Sequence, residues 1–215
     1  MIEHRLTTSR RARYYSLGGG ESVTSVWIVC HGFGQLASTF LQAFDGVATA
    51  ERIVVAPEAL NRFYLTTDAD GSHAAARVGT TWMTREDRDA EIADYVDFLD
   101  AVYRQTVPAN AMVTVLGFSQ GAATAARWVG LGTSMVHRLV LWAGQLPPDI
   151  DTGALRAKLT GSVALVCGDE DEHRPWVQLE SGRARLQATG LQVQEHAFKG
   201  GHRLDRDTLA ELARS

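Results

Sequence analysis

A serine hydroxyl is a poor nucleophile at its own pKa, so a chain that uses one must hold it against a base and aim backbone donors at the carbonyl under attack. Gly117-Phe-Ser-Gln-Gly121 has the residues for this, a G-x-S-x-G pattern entered from the apolar run Met112–Leu116 and left through the helical run Ala122–Trp128. A strand that turns into a helix within so few residues strains the residue at the corner and needs glycines where larger side chains would clash. Ser119 would then stand at the edge of a sheet, beside the positive end of a helix dipole. The non-catalytic alternative is an ordinary strand-to-helix turn whose serine only caps the helix.

The base and its orienting acid should follow the serine in the chain, in the order Ser, acid, His. Four histidines follow: His137, His173, His196 and His202. His202 lies in Lys199-Gly-Gly-His202, between the last strand-like run and the last helix-like run, and is taken as general base. The acid should end the run Val163–Cys167, where Asp169, Glu170, Asp171 and Glu172 compete. Asp171 is preferred to Asp169 because three residues past Gly168 leave room for the side chain to turn back toward His202. Its role is to fix the imidazole tautomer and stabilise imidazolium. Asp169, Asp171, His173 and Glu180 come near the spacing of a calcium loop, but Arg174 and Pro175 stand where that loop needs its glycine turn, so no metal is expected.

Two amides should hold the oxyanion, one from the residue after the serine and one from the loop after an early strand. These are the N–H groups of Gln120 and of Phe33, the latter in His31-Gly-Phe-Gly34. His31 precedes the serine and reads as an anchor for that loop.

Short β-rich runs alternate with amphipathic helix-length stretches, the pattern of a mostly parallel sheet covered on both faces. Strands are expected at 11–17, 25–30, 52–56, 112–117, 138–142, 163–167 and 191–196, and helices at 38–50, 85–105, 120–130, 175–189 and 203–213. Thr84, with Asp87 three residues on, is expected to cap the 85–105 helix, which would bury Ile92, Tyr95, Val96, Leu99, Val102 and Tyr103. Only 60–84 lacks a period, and long connections of that kind tend to be functional. Its Phe63, Tyr64, Leu65, Trp82 and Met83 are candidate walls of an acyl pocket.

The 215 residues fit one domain over 1–215, 45% hydrophobic and 21% charged, which excludes disorder and coiled coil. A formal charge of −4 offers no field for nucleic acid, and the Arg10, Arg11, Arg13 cluster reads as a solvated hairpin. Neither a signal-peptide core nor an apolar run of membrane-spanning length is present, and Cys30 and Cys167 each close a short apolar run. A cytoplasmic protein without stable membrane association is expected.

Together, His31-Gly-Phe-Gly34, Gly117-Phe-Ser-Gln-Gly121, Gly168-x-x-Asp171 with Pro175, and Gly201-His202 resemble the phospholipase/carboxylesterase family of α/β-hydrolases, from about residue 25 to 205. The resemblance implies an α/β-hydrolase fold without a large cap domain and hydrolysis of carboxylic esters or thioesters without a cofactor. Ala143-Gly-Gln-Leu-Pro147 is similar to the family's S-G-x-L-P stretch, which adds Leu146 to the candidate substrate-binding residues. Gln35, Ala143 and Arg174 depart from the family's usual residues. A non-catalytic small-molecule binder on the same fold is the competing class.

Overall fold

A computed structural model describes residues 1–66 and 73–215. Its main sheet has seven strands: β1 (Tyr14–Gly18), β2 (Ser25–Cys30), β3 (Arg52–Pro57), β6 (Met112–Phe118), β7 (Arg138–Trp142), β8 (Ser162–Gly168) and β9 (Gln192–Phe198). They lie in the order β1-β3-β2-β6-β7-β8-β9, and only β1 is antiparallel to its neighbour. The central strands are apolar on both faces because both are covered, as parallel sheets require.

On one face, Val26, Ile28, Val113, Val115, Leu139, Leu141, Val163 and Leu165 form a core with α2 (Arg88–Thr106), α3 (Gln120–Leu131) and α4 (Thr152–Lys158). The alternate residues Trp27, Val29, Leu116, Val140, Trp142, Ala164 and Val166 pack with α1 (Ala37–Leu41) and α7 (Arg206–Arg214) on the other. This is the α/β-hydrolase arrangement, with no large cap domain among the described residues.

Several elements differ from the sequence expectation. The 60–84 connection carries a two-stranded antiparallel hairpin, β4 (Asn61–Tyr64) and β5 (Val78–Thr81); residues 67–72 between them lie outside the described residues. Each strand has only four residues, too few to reveal a period. α2 begins at Arg88 with Asp87 in a left-handed conformation, φ 48°, as its N-cap. Thr84 instead joins a tight turn with Glu86, its hydroxyl accepting that residue's N–H at 3.1 Å. The 38–50 helix shrinks to α1 and a single 3₁₀ turn, Gln42–Phe44. The 175–189 helix is cut at Gln178, φ 51°, into α5 (Arg174–Val177) and α6 (Leu179–Gln187). Tyr103 is only partly buried, its hydroxyl donating to the carbonyl of Met135 at 2.9 Å. The N-terminal arginines form no hairpin: Arg13 Nε lies 2.7 Å from the buried carboxylate of Glu58, and Arg10 donates to Leu60 O and Asn61 Oδ1.

Candidate active site

The corner between β6 and α3 carries the strain that its sequence demands. Ser119 has φ 55° and ψ −119°, a conformation costing a non-glycine residue about 1–3 kcal/mol. It persists because the surroundings over-determine it: the Ser119 N–H donates to Trp142 O at 2.8 Å. A Cβ on Gly117 would lie 2.0 Å from Gly121 O, and one on Gly121 would lie 2.2 Å from Cys30 O, so both places exclude any side chain.

Ser119 Oγ lies 2.9 Å from His202 Nε2, and His202 Nδ1 lies 2.8 Å from Asp171 Oδ2. With Nδ1–H donating to the carboxylate, Nε2 carries the lone pair and accepts from the serine hydroxyl. The Asp171 side chain is fully buried, and its Oδ1 accepts the N–H of His173 at 2.8 Å. Asp169 has a different task, its Oδ1 accepting the N–H of Gly200 at 2.9 Å and so tying the turn after β8 to the loop that carries His202. Trp142 Nε1 donates to Arg203 O at 3.0 Å and pins the other side of that loop. The rings of Phe118 and His173 stand 5.0 Å and 4.7 Å from the His202 ring.

Gln120 opens α3, where early N–H groups have no intrahelical acceptor. Its side chain joins the turn to the hairpin: Nε2 donates to Thr81 Oγ1 at 2.9 Å and to Met83 O at 3.0 Å, while Oε1 accepts from the Trp82 N–H at 3.2 Å. Phe33 sits in the loop after β2 and is 59% exposed. That loop is held by one internal bond and two with Thr80 of β5. Gln35 Oε1 accepts the Gly32 N–H at 2.8 Å, the Gly34 N–H donates to Thr80 O at 2.8 Å, and Thr80 Oγ1 donates to Gln35 O at 2.6 Å.

The phospholipase/carboxylesterase profile matches residues 18–215, nearly the whole chain. The chain belongs to this family. No curated protein sequence matches it. Among solved structures, the carboxylesterase from Mesorhizobium loti superposes with a TM-score of 0.73 at 19% identity, over 98% of this chain and 96% of that one. Zea mays acyl-protein thioesterase 2 gives 0.71 at 17%, over 95% and 97%. The Bacillus cereus carboxylesterase gives 0.67 at 18%, over 94% and 92%.

For this member of the phospholipase/carboxylesterase family, each unusual residue has a local task. Gln35 braces the Gly32 amide, as above. Ala143 takes φ 49° with its N–H on Val166 O at 2.7 Å, and Arg174 Nη1 donates to Gly168 O at 3.1 Å.

The expected pocket residues divide. Phe63 is half-buried with its ring 5.1 Å from that of Phe33, and Tyr64 is exposed and stacked 4.3 Å from His73. Trp82, expected as a pocket wall, is instead 1% exposed, sits in the core against Tyr95, donates from Nε1 to His31 O at 2.9 Å and does not line the cleft beside His202. Leu146 is 4% exposed, packed in the core, and lies on a small cavity with Gln145, Pro148 and Gln178 rather than on the cleft beside His202. Arg62 pairs with the buried carboxylate of Glu58 at 2.9 Å. The open cleft beside His202, about 620 Å³, has apolar walls from Leu36, Phe40, Val78, Phe118 and Leu204. Their separation in the chain hid them from sequence reasoning, and only the apolar character of each run signalled them.

His31 is fully buried, with Nδ1 2.8 Å from Gly32 O and Nε2 accepting the Ala59 N–H at 3.1 Å. Only the neutral ring can do both. Burial lowers its pKa to about 4. As pH falls through the ordinary histidine value of about 6.5, the unfolded chain takes this proton first, so His31 stabilises fully above that pH and its contribution is lost toward pH 4. The loss should be on the order of 3 kcal/mol. Urea denaturation of wild type and His31→Gln at pH 7 and pH 4.5 should show the gap between them closing in acid; a gap independent of pH would contradict this assignment.

Gly79 of β5 lies flat on the Gly34 backbone, where an added Cβ would meet Gly34 O at 2.5 Å and Cα at 2.8 Å. Gly79→Ala should therefore push the Phe33 loop away while leaving the core intact. A loss in kcat of roughly 10²–10³, the size of one displaced oxyanion donor, is expected with little change in Tm. Unchanged kcat in the folded variant would show that the loop's position is immaterial.

Proposed function

We propose that the protein is a serine esterase that cleaves carboxylic esters through an acyl-enzyme formed on Ser119. The observation that carries this reading is the continuous hydrogen-bonded chain from Ser119 Oγ through His202 to the buried carboxylate of Asp171. His202 Nε2 takes the hydroxyl proton as Oγ attacks the acyl carbon, and the new oxyanion is held by the Phe33 and Gln120 amides. His202 then returns the proton to the leaving alkoxide, and a water activated by the same nitrogen releases the acid. Asp171 keeps Nδ1–H in place and stabilises the imidazolium without taking its proton. No step calls on a cofactor or metal.

The cleft beside His202 receives the apolar part of the substrate, with the ring of Phe63 against that of Phe33 on the oxyanion loop. We place the protein in the cytoplasm as one catalytic domain, a reading supported by two free, buried cysteines and by the lack, among the described residues, of a helix long and apolar enough to cross a membrane.

Thioester cleavage is the second reading, supported by the likeness of the fold to Zea mays acyl-protein thioesterase 2. Matched oxygen and thiol esters of one acyl group separate the two. A higher kcat/KM on the oxygen ester is expected; a preference for the thiol ester that survives correction for leaving-group reactivity would make the protein a thioesterase.

A further inference from the structure

The parallel strands bring Ser119 and its partners to their C-terminal edge. At the opposite edge, roughly 20 Å away for strands of six residues, a separate cleft of about 460 Å³ opens under the last turn of α7. Arg52, His137, Arg138 and Arg214 line it, with hydroxyls from Thr24, Ser25 and Ser162, and no Asp or Glu among the described residues does.

Arg138 is buried and Arg52 half-buried, and among the described residues neither has an Asp or Glu within ion-pair distance. Arg138, on β7, is 7% exposed and donates to Leu212 O at 2.8 Å, Ser215 Oγ at 2.9 Å and Gln194 Oε1 at 3.4 Å. Arg52, on β3, donates to Val47 O at 3.1 Å and Ala213 O at 2.7 Å. Every one of these acceptors is neutral, and the Nε of both arginines is buried with no acceptor. Burial lowers the pKa of Arg138, and no carboxylate offsets it. The carbonyl end of α7 supplies about half an elementary negative charge at best. Against the guanidinium groups of Arg52, Arg138 and Arg214, that leaves the lining side chains net positive. Two other buried charges meet opposite charge, Glu58 with Arg13 and Arg62, and Arg127 with Asp149, while buried Asp100 is satisfied by neutral donors from Trp128, Thr133 and Ser134.

We propose that this cleft binds a small oxyanion, a phosphate or a carboxylate carried on a small molecule, with Arg138 and Arg52 at its base and Arg214 and His137 at its mouth. The site is independent of the ester chemistry. An occupant would brace α7, which runs from Arg206, four residues after His202, to the cleft.

Thermal unfolding of the full chain is the test, with inorganic phosphate or malonate titrated against sodium chloride at equal ionic strength. A saturable rise in Tm of a few degrees is expected with at least one of the two and not with chloride. Phosphate alone would identify a phosphate site, and malonate alone a carboxylate site. Ser119→Ala should respond as wild type does, which separates this site from the hydrolytic one. Arg138→Gln should abolish the saturable rise. Because Arg138 is buried, Arg214→Gln and His137→Gln provide exposed controls that need not disturb folding, and their half-saturating concentration should increase several-fold. No saturable rise with either anion, or a rise unaltered in both exposed variants, would overturn the proposal.

Discussion

Ser119→Ala is expected to lower kcat on an activated ester by on the order of 10⁶, the size of effect found when the nucleophile of a serine triad is removed. The reason lies in the covalent step. Without Oγ there is no acyl-enzyme, and His202 has nothing to deprotonate except water. The residual rate should come only from the amides that hold the oxyanion and from substrate binding, roughly 10³–10⁴ over the uncatalysed reaction. Folding should survive, since Ser119 donates its backbone N–H to Trp142 O whatever its side chain. Removing a hydroxyl from a residue at φ 55° does not relieve the strain there, because alanine carries the same Cβ. Steady-state and single-turnover kinetics on a p-nitrophenyl ester check this. A loss smaller than about 10²-fold in the folded variant would mean that another group attacks the carbonyl.

Asp171→Asn is expected to cost roughly 10⁴ in kcat, and Asp169→Asn much less. An asparagine at 171 has nearly the same shape, but its amide can present N–H to His202 Nδ1. The imidazole then takes the other tautomer and turns a donor, not a lone pair, toward Ser119 Oγ. Asp169 touches the imidazole only through the backbone, via the Gly200 N–H, so its asparagine variant can keep that bond with its carbonyl oxygen. The two variants should therefore separate by more than 10²-fold in kcat at equal stability. The reverse order would give Asp169 the orienting role and make the 2.8 Å contact of Asp171 with His202 structural.

Much of the candidate site was legible because each of its motifs is local in sequence. Ser119 lies between glycines whose absent side chains leave room for the Gly121 and Cys30 carbonyls, and a strand and a helix on either side give the pattern its meaning. The parallel sheet was legible for a related reason, since strands covered on both faces read as unbroken apolar runs. What could not be read depends on contacts between distant segments. Trp82 reads as a pocket wall because it lies in the long connection without a period, yet its indole is held in the core by the His31 carbonyl and Tyr95, from two other segments. The four-residue strands β4 and β5 are too short for a period, and their pairing sets Gly79 on Gly34. Helix ends slipped where a left-handed Asp87 or Gln178, neither of them glycine, interrupts the chain.

The most direct measurement is the intact mass of the protein after treatment with a fluorophosphonate, taken for wild type and Ser119→Ala in parallel. One phosphonyl adduct on wild type and none on the folded variant is the result expected if Ser119 is the nucleophile that His202 activates. Labelling of the folded Ser119→Ala protein, or a folded wild type that takes no label, would contradict that claim.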